Sequence, residues 1–375
     1  MSNLEKKLDT KQNIESTARI NSIALYVPEK STSELLDGVE VTVYGKNGFE
    51  YKNPLFWFVY DRIVGKCLEN VVERKTRNIL GKYLSADEKK TLVHLDTRTT
   101  TLGPYRRNFG LKQDWAEIFL LETTLFNRGS PVMKHLCENV ANAPGLDDVY
   151  NNNGGFAWNG LKIFPLSGEP DLLSNIYMDK PEAQGTRNRY YMLLRLYDQF
   201  GGGKTLSIAC GSAQPLIHAV NRFVSEKHYN LDNTTLVLTD QDARSLDLAR
   251  LRAKQANIED RVQFVQSSYL ELGDALGNEK FDIVEACGIA DYLPDKYFKS
   301  LVEKAMSYLN VGGKLLISNM MPGVWSSFIR RTYNWEMIYR TTHQVAELLK
   351  ESGQKDIRIY VEPWKVHMIA VVTKH

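Results

Sequence analysis

Residues Thr205-Leu-Ser-Ile-Ala-Cys-Gly-Ser-Ala-Gln-Pro215 constrain this chain more than any other stretch. The run reads as a buried strand over 205–209, a tight turn at Gly211-Ser212, and a helix opened by Pro215. A glycine in such a turn lets backbone approach a ligand closely. The helix beyond it presents N–H groups without intrahelical partners at the positive end of its dipole. The segment therefore marks a cofactor cradle at the carboxyl end of a strand.

Around the cradle, helices and strands alternate regularly. A helix over 186–199 precedes it, and the helix after it spans 214–227. Strand 235–240, helix 243–256, strand 262–266 and strand 281–286 come next, then helix 296–309 and strand 313–318. Helix 342–352 opens on a capping-box pair, Thr341 with Gln344, and stops at Gly353. Two last apolar runs, 357–361 and 366–372, read as an antiparallel hairpin around Glu362-Pro-Trp-Lys365. Strands alternating with helices predict a parallel, doubly wound α/β sheet.

The first half has another character. At 375 residues the chain exceeds one typical domain. Val39-Glu-Val-Thr-Val-Tyr44 alternates like a short strand, whereas residues 54–144 carry apolar positions at three- and four-residue steps. Breaker clusters at 151–155 and Asp179-Lys-Pro-Glu-Ala-Gln-Gly185 put a boundary near 180. We thus expect a mainly helical N-terminal domain over 1–180 and a cofactor domain over 181–375.

Composition narrows the class. Hydrophobic content of 43% and charged content of 25% are those of a soluble globular chain. A balance of 47 basic against 45 acidic residues gives no electrostatic case for nucleic acid. The N-terminus carries no signal-peptide apolar region, and no apolar run reaches membrane-spanning length. Cys67, Cys137, Cys210 and Cys287 are isolated, without CxxC spacing, which predicts a reduced cytoplasmic protein with no metal site.

Strand 205–209, Cys210-Gly211-Ser212, the acid Asp240 ending Leu236-Val-Leu-Thr-Asp240, and the terminal hairpin together resemble a class I S-adenosylmethionine-dependent methyltransferase over about half the chain. The resemblance implies a Rossmann-like sheet, mostly parallel with an antiparallel terminal hairpin. It implies S-adenosylmethionine as cofactor, with Ala209, Cys210, Gly211 and Ser212 around its aminoacyl part. Asp240 would take the ribose hydroxyls, Ser268 stands where the family places its adenine-reading acid, and Gln241, Ser267, Tyr269, Cys287 and Gly288 complete the expected cofactor-binding set. The sequence departs from the family pattern at Ser207 (usually an acid), Ala213 (usually glycine) and Ser268 (commonly an acid).

For the acceptor, the loop Glu285-Ala-Cys-Gly-Ile-Ala-Asp-Tyr-Leu-Pro-Asp295 lacks the Asn/Asp-Pro-Pro-aromatic run of base-amino methyltransferases, so a small molecule is expected. Arg330–Thr341 offers Arg340 as a carboxylate clamp, with Trp335 and Tyr339 walling an apolar tail. Asp291 or His343 would serve as general base for a hydroxyl acceptor, whereas a carboxylate needs none. Gly288–Asp295 with Trp-x-x-x-Tyr-Arg-Thr is similar to methyltransferases associated with bacterial hydroxy-fatty-acid methyl ester signals, which implies O-methylation of a carboxylic or fatty acid. Arg187-Asn-Arg-Tyr-Tyr191 lies where it could meet the methionine carboxylate.

Plainer readings stand beside these: Cys210 as a small buried hydrophobe, Asp242 as a helix cap, His218 as a packed core residue, and His343 as a surface residue. The N-terminal helices would cover the mouth as a lid or form a homodimer interface. Two other classes also fit a strand–turn–helix followed by an acid: an NAD(P)-dependent oxidoreductase, and a non-catalytic binding protein on the same fold.

Overall fold

The computed structural model describes residues 31–60, 149–150, 178–227, 230–323 and 337–375. The expected helices of 61–148 and the loop at 151–155 lie outside these residues, as do Cys67, Cys137 and Trp335.

The described strands form a nine-stranded sheet. They are β1 (Thr32–Leu36), β2 (Val39–Val43), β3 (Lys204–Ile208), β4 (Thr235–Asp240), β5 (Val262–Gln266), β6 (Phe281–Ala286), β7 (Leu309–Met320), β8 (Asp356–Val361) and β9 (His367–Thr373). Their order in space is β1-β2-β8-β9-β7-β6-β3-β4-β5. Strands β5, β4, β3, β6 and β7 run parallel, and β9 is antiparallel to both β7 and β8. A reversed strand wedged beside β7 departs from the all-parallel order of dinucleotide-binding sheets.

The helices are α1 (Pro54–Tyr60), α2 (Pro181–Phe200), α3 (Gln214–Glu226), α4 (Ala243–Gln255), α5 (Leu272–Leu276), α6 (Asp295–Tyr308) and α7 (Thr342–Glu351). Side-chain alternation sends successive strand residues to opposite faces. Leu236 and Leu238 pack with Ile217, Val220, Phe223 and Ala249 of α3 and α4, while Val237 joins Val284, Leu315, Phe298 and Leu301 on the α6–α7 side. At about 1.5–3 kcal/mol for each fully buried large aliphatic or Phe side chain, these two cores dominate the stabilisation of the sheet.

Two boundaries differ from expectation for local reasons. Helix α2 begins at Pro181, inside the cluster read as a breaker, because proline in a first turn loses no intrahelical hydrogen bond. Gly185 then sits within this helix because a Cβ there would lie 2.7 Å from Val366 Cβ. It is a close-packing glycine rather than a turn. Strand β7 starts earlier than residue 313, with a register irregularity against β6.

Strands β1 and β2, from before the expected boundary near 180, continue the same sheet: β2 pairs in parallel with β8. The segment after β2 is pinned to α2. Glu50 N donates to Asn188 Oδ1 at 2.7 Å, Lys52 N to Gln184 Oε1 at 2.8 Å, and Arg187 reaches Glu50 Oε2 at 2.8 Å. No helix among the described residues is long and apolar enough to cross a membrane.

Candidate active site

The carboxyl ends of β3, β4, β5 and β6 enclose a cavity of about 580 Å3. It opens beside β3, whose neighbours in the sheet are β4, next in the chain, and β6, reached only after β5 at the sheet edge: the switch point at which open α/β sheets bind ligands. Its volume is that of a pocket for a drug-sized molecule.

The expected cradle forms its floor. Ala209 (φ 54°), Gly211 (φ 56°) and Ala213 (φ 50°) all take left-handed backbone, so the turn coils tightly between β3 and α3. Alanine pays roughly 1–2 kcal/mol for that conformation, which glycine avoids, and such strain is held where surrounding structure over-determines it. Cys210 N donates to Thr239 O at 2.9 Å, tying the turn to β4.

Asp240 ends β4 facing the cavity. Its Oδ2 accepts from Gly211 N at 2.9 Å and its Oδ1 from Asp242 N at 2.9 Å, leaving lone-pair capacity on each oxygen. Burial pushes its carboxyl upward, against the pull of the N–H groups of Asp242, Gly211 and Gln241. Asp242 caps α4 by accepting from Arg244 N at 3.1 Å, in line with its plainer reading.

All the expected cofactor residues meet on this cavity: Ala209, Cys210, Gly211 and Ser212 from the first turn, Asp240 and Gln241 from the second, Ser267, Ser268 and Tyr269 after β5, and Cys287 with Gly288 after β6. Apolar and aromatic residues, among them Leu193, Tyr150, Ile289, Tyr292 and Leu293, line the same cavity. Burial pushes the Cys210 and Cys287 thiols well up, so neither is a thiolate at neutral pH.

The residues expected to act on the acceptor are placed elsewhere, and their roles are corrected. Asp291 lies behind the loop: its Oδ1 accepts from Met320 N at 2.6 Å and Asn319 Nδ2 at 3.0 Å, while its neighbours Ile289 and Tyr292 face the cavity. Arg340, 2% exposed, donates to Ala290 O at 3.1 Å, Leu293 O at 2.6 Å, Asn319 Oδ1 at 2.8 Å and Asp295 Oδ1 at 2.8 Å. Those bonds occupy its guanidinium, which makes it a structural pin and not a substrate clamp. Tyr339 is buried outside the cavity wall. His343 is exposed at the surface, 3.4 Å from Asp37 Oδ2, in line with its surface reading. His218 is packed in the core against the Tyr190 hydroxyl.

Two charged residues of the cavity lining, Arg189 and Glu285, stand outside the expected site set; the sequence points to Arg189 only through the stretch Arg187–Tyr191. Glu285 carries a readable signal, an acid directly after the apolar pair Ile283-Val284 at the inner end of a central strand, where a buried carboxylate demands a partner.

The residues present suit S-adenosylmethionine: a carboxylate at the end of β4, a coiled glycine turn beside it, and buried charges of both signs on one wall. Residues 200–362 match the family model of a methyltransferase domain. No curated protein shows a sequence match to the chain. Among solved structures, a possible exported protein from Bordetella parapertussis is similar at 18% identity over 65% of this chain and 86% of that one, with a TM-score of 0.52. An O-methyltransferase family protein from Burkholderia thailandensis is similar at 16% identity over 51% of this chain and 61% of that one, with a TM-score of 0.39. Magnesium protoporphyrin IX methyltransferase from Synechocystis is similar at 10% identity over 53% and 88%, with a TM-score of 0.41. The sheet order is that of a Rossmann-like class I methyltransferase fold, residues 200–362 match a methyltransferase domain, and the cavity suits S-adenosylmethionine as cofactor.

Proposed function

We propose that the protein methylates a small-molecule acceptor at oxygen, a carboxylate or a hydroxyl, and that the cavity at the ends of β3–β6 holds both cofactor and acceptor. The observation that carries this reading is the convergence of every expected cofactor residue on one cavity that apolar and aromatic side chains also line. The polar floor suits a nucleoside, and the wall of Leu193, Ile289, Tyr292 and Leu293 suits the body of an apolar acceptor.

S-adenosylmethionine supplies a methyl group on a sulfonium, transferred by in-line displacement. The protein's part is to bind and align. Asp240 accepts from the ribose hydroxyls with the lone pairs its backbone partners leave open. The Ala209–Ala213 turn would hold the aminoacyl part by its backbone, and Ser267, Ser268 and Tyr269 would border the adenine. Holding the acceptor oxygen near 3 Å in line can supply much of the acceleration without a proton being moved. A carboxylate acceptor is ionised at pH 7 and needs no base.

The likeness of Gly288–Asp295 to methyltransferases of hydroxy-fatty-acid methyl ester signals supports fatty and other carboxylic acids as the first acceptors to screen. We also propose that residues 1–180 contribute a lid or a homodimer interface over the mouth, and that Tyr150 on the cavity wall is its contribution to the site. The test is transfer of labelled methyl from S-adenosylmethionine to a panel of carboxylic acids, phenols and alcohols. Label recovered as ester or ether supports the reading, and label found solely on amines refutes the assignment to oxygen.

A further inference from the structure

Glu285 and Arg189 are buried charges of opposite sign on one cavity wall. Glu285 is 5% exposed and Arg189 3% exposed, and both line the space above the Cys210–Ser212 turn. They lie near enough to feel each other's charge, yet they do not form an ion pair. Arg189 donates to the Tyr150 hydroxyl, its Nε has no hydrogen-bond partner, and its Nη1 lies 4.0 Å from where a Cβ on Gly288 would sit. An ionised side chain removed from water costs several kcal/mol unless something compensates it. Here Glu285 is hydrogen-bonded from within the protein, whereas Arg189 keeps an unpartnered Nε beside the Tyr150 hydroxyl and the nearby charge of Asp291.

The Glu285 carboxylate is held rather than loose. Its Oε1 accepts from Cys287 N at 2.7 Å and its Oε2 from the Ser207 hydroxyl. Ser207 and Glu285 are register partners on adjacent parallel strands, so the hydroxyl on β3 fixes the acid on β6. The Cys287 thiol also bonds this carboxylate, and with about four lone-pair sites on its two oxygens the group keeps room for one further donor. Burial pushes the Glu285 carboxyl up on balance, against the pull of the Ser207 hydroxyl, the Cys287 N–H and thiol, and the nearby Arg189 charge.

A ligand that satisfies both groups carries an ammonium and a carboxylate a few ångströms apart. We infer that Glu285 and Arg189 form a two-ended clamp for an α-amino-acid head group, Glu285 taking the ammonium and Arg189 the carboxylate, with Ser207 as the positioning residue for Glu285. The inference rests on the cofactor assignment above, because the methionine part of S-adenosylmethionine is such a head group. It gives the serine at 207 a purpose: the carboxylate facing the cavity comes from the neighbouring strand, and position 207 supplies a hydrogen bond to it.

The test is calorimetric binding of two nucleosides to the full chain. S-adenosylhomocysteine carries the amino-acid head, and 5′-methylthioadenosine shares the adenosine and sulfur but lacks it. Wild type is expected to bind both, with the homocysteine compound tighter. Glu285→Gln should weaken S-adenosylhomocysteine about 10- to 100-fold, the scale of a lost charge-assisted hydrogen bond, and leave 5′-methylthioadenosine unchanged. Equal loss for both nucleosides, or no loss for either, overturns the clamp while leaving the cofactor assignment standing. A wild type that binds neither overturns the cofactor assignment and the clamp with it. Where circular dichroism shows Glu285→Gln unfolded, Arg189→Met carries the same comparison, and the same selective loss is expected.

Discussion

Arg340 donates to Asn319 Oδ1 at 2.8 Å, and the same asparagine donates through Nδ2 to Asp291 Oδ1 at 3.0 Å. An arginine, an amide and a carboxylate thus make one buried chain that ties the segment before α7 to the end of β7 and to the loop after β6. The cavity wall at Ile289, Tyr292 and Leu293 is held from behind by this chain. Removing Arg340 leaves the carbonyls of Ala290 and Leu293 without the guanidinium donors they accept from. Arg340→Ala is expected to lower stability by about 2–4 kcal/mol, the loss of several hydrogen bonds to a charged donor. Urea denaturation measures it, and an unchanged midpoint would show that the pin is dispensable.

Asp240 has a different signature. Asp240→Asn keeps a side chain of the same size while removing the charge that would face the ribose hydroxyls. Affinity for S-adenosylhomocysteine should fall by about 1–3 kcal/mol. The loss should be matched for 5′-methylthioadenosine, which has the same ribose. Calorimetry of the two ligands separates this outcome from the head-selective loss expected of Glu285→Gln.

Gly185 tests the seating of α2. Alanine is ordinarily favoured over glycine in a helix by about 1 kcal/mol. Here its Cβ would come within 2.7 Å of Val366 Cβ, on the turn between β8 and β9. Overpacking of this kind costs about 1–3 kcal/mol, so the clash is expected to win and Gly185→Ala to melt at lower temperature. The double variant Gly185→Ala, Val366→Ala should recover stability relative to the single one. A single variant more stable than wild type would refute the close packing.

His218 makes stability depend on pH. Burial, helped by the nearby Arg252, lowers its pKa to about 4, and its Nδ1 meets the Tyr190 hydroxyl. The unfolded chain, with an ordinary histidine pKa near 6.5, binds more protons than the folded one between about pH 4 and 6.5. Stability therefore rises with pH through that window and falls as the solution is acidified through it. The contribution is about 3 kcal/mol when complete. Buried His367 acts in the same direction, and buried acids such as Asp291 act oppositely, so the comparison must be made against a variant. His218→Gln should flatten the acid limb of the denaturation profile. Parallel profiles for the two proteins would show that His218 does not titrate on unfolding.

Much of the cofactor side was legible because it is written locally. The apolar run into Cys210-Gly211-Ser212, the acid ending Leu236-Val-Leu-Thr-Asp240, and the capping box at Thr341 with Gln344 depend on neighbours a few residues away. Their geometry comes from strand alternation, turn chemistry and helix-end hydrogen bonding. The reversed β9 was legible in the same way, from the hairpin around Glu362–Lys365.

The acceptor side was not legible, because it depends on which atoms of distant segments meet. Arg340 looks like a clamp in sequence, and only the approach of Ala290, Leu293 and Asn319 shows its guanidinium to be occupied. Asp291 obeys the same logic, its carboxylate turned to Met320 N and away from the cavity. The pairing of Ser207 with Glu285 spans 78 positions along the chain and arises from the parallel register of β3 on β6. Sequence by itself determined the elements and the cradle, since backbone hydrogen bonding and side-chain periodicity act over short separations. Tertiary structure alone decided which buried charges are already satisfied and which still face the cavity, because that is a matter of contact between segments far apart in the chain.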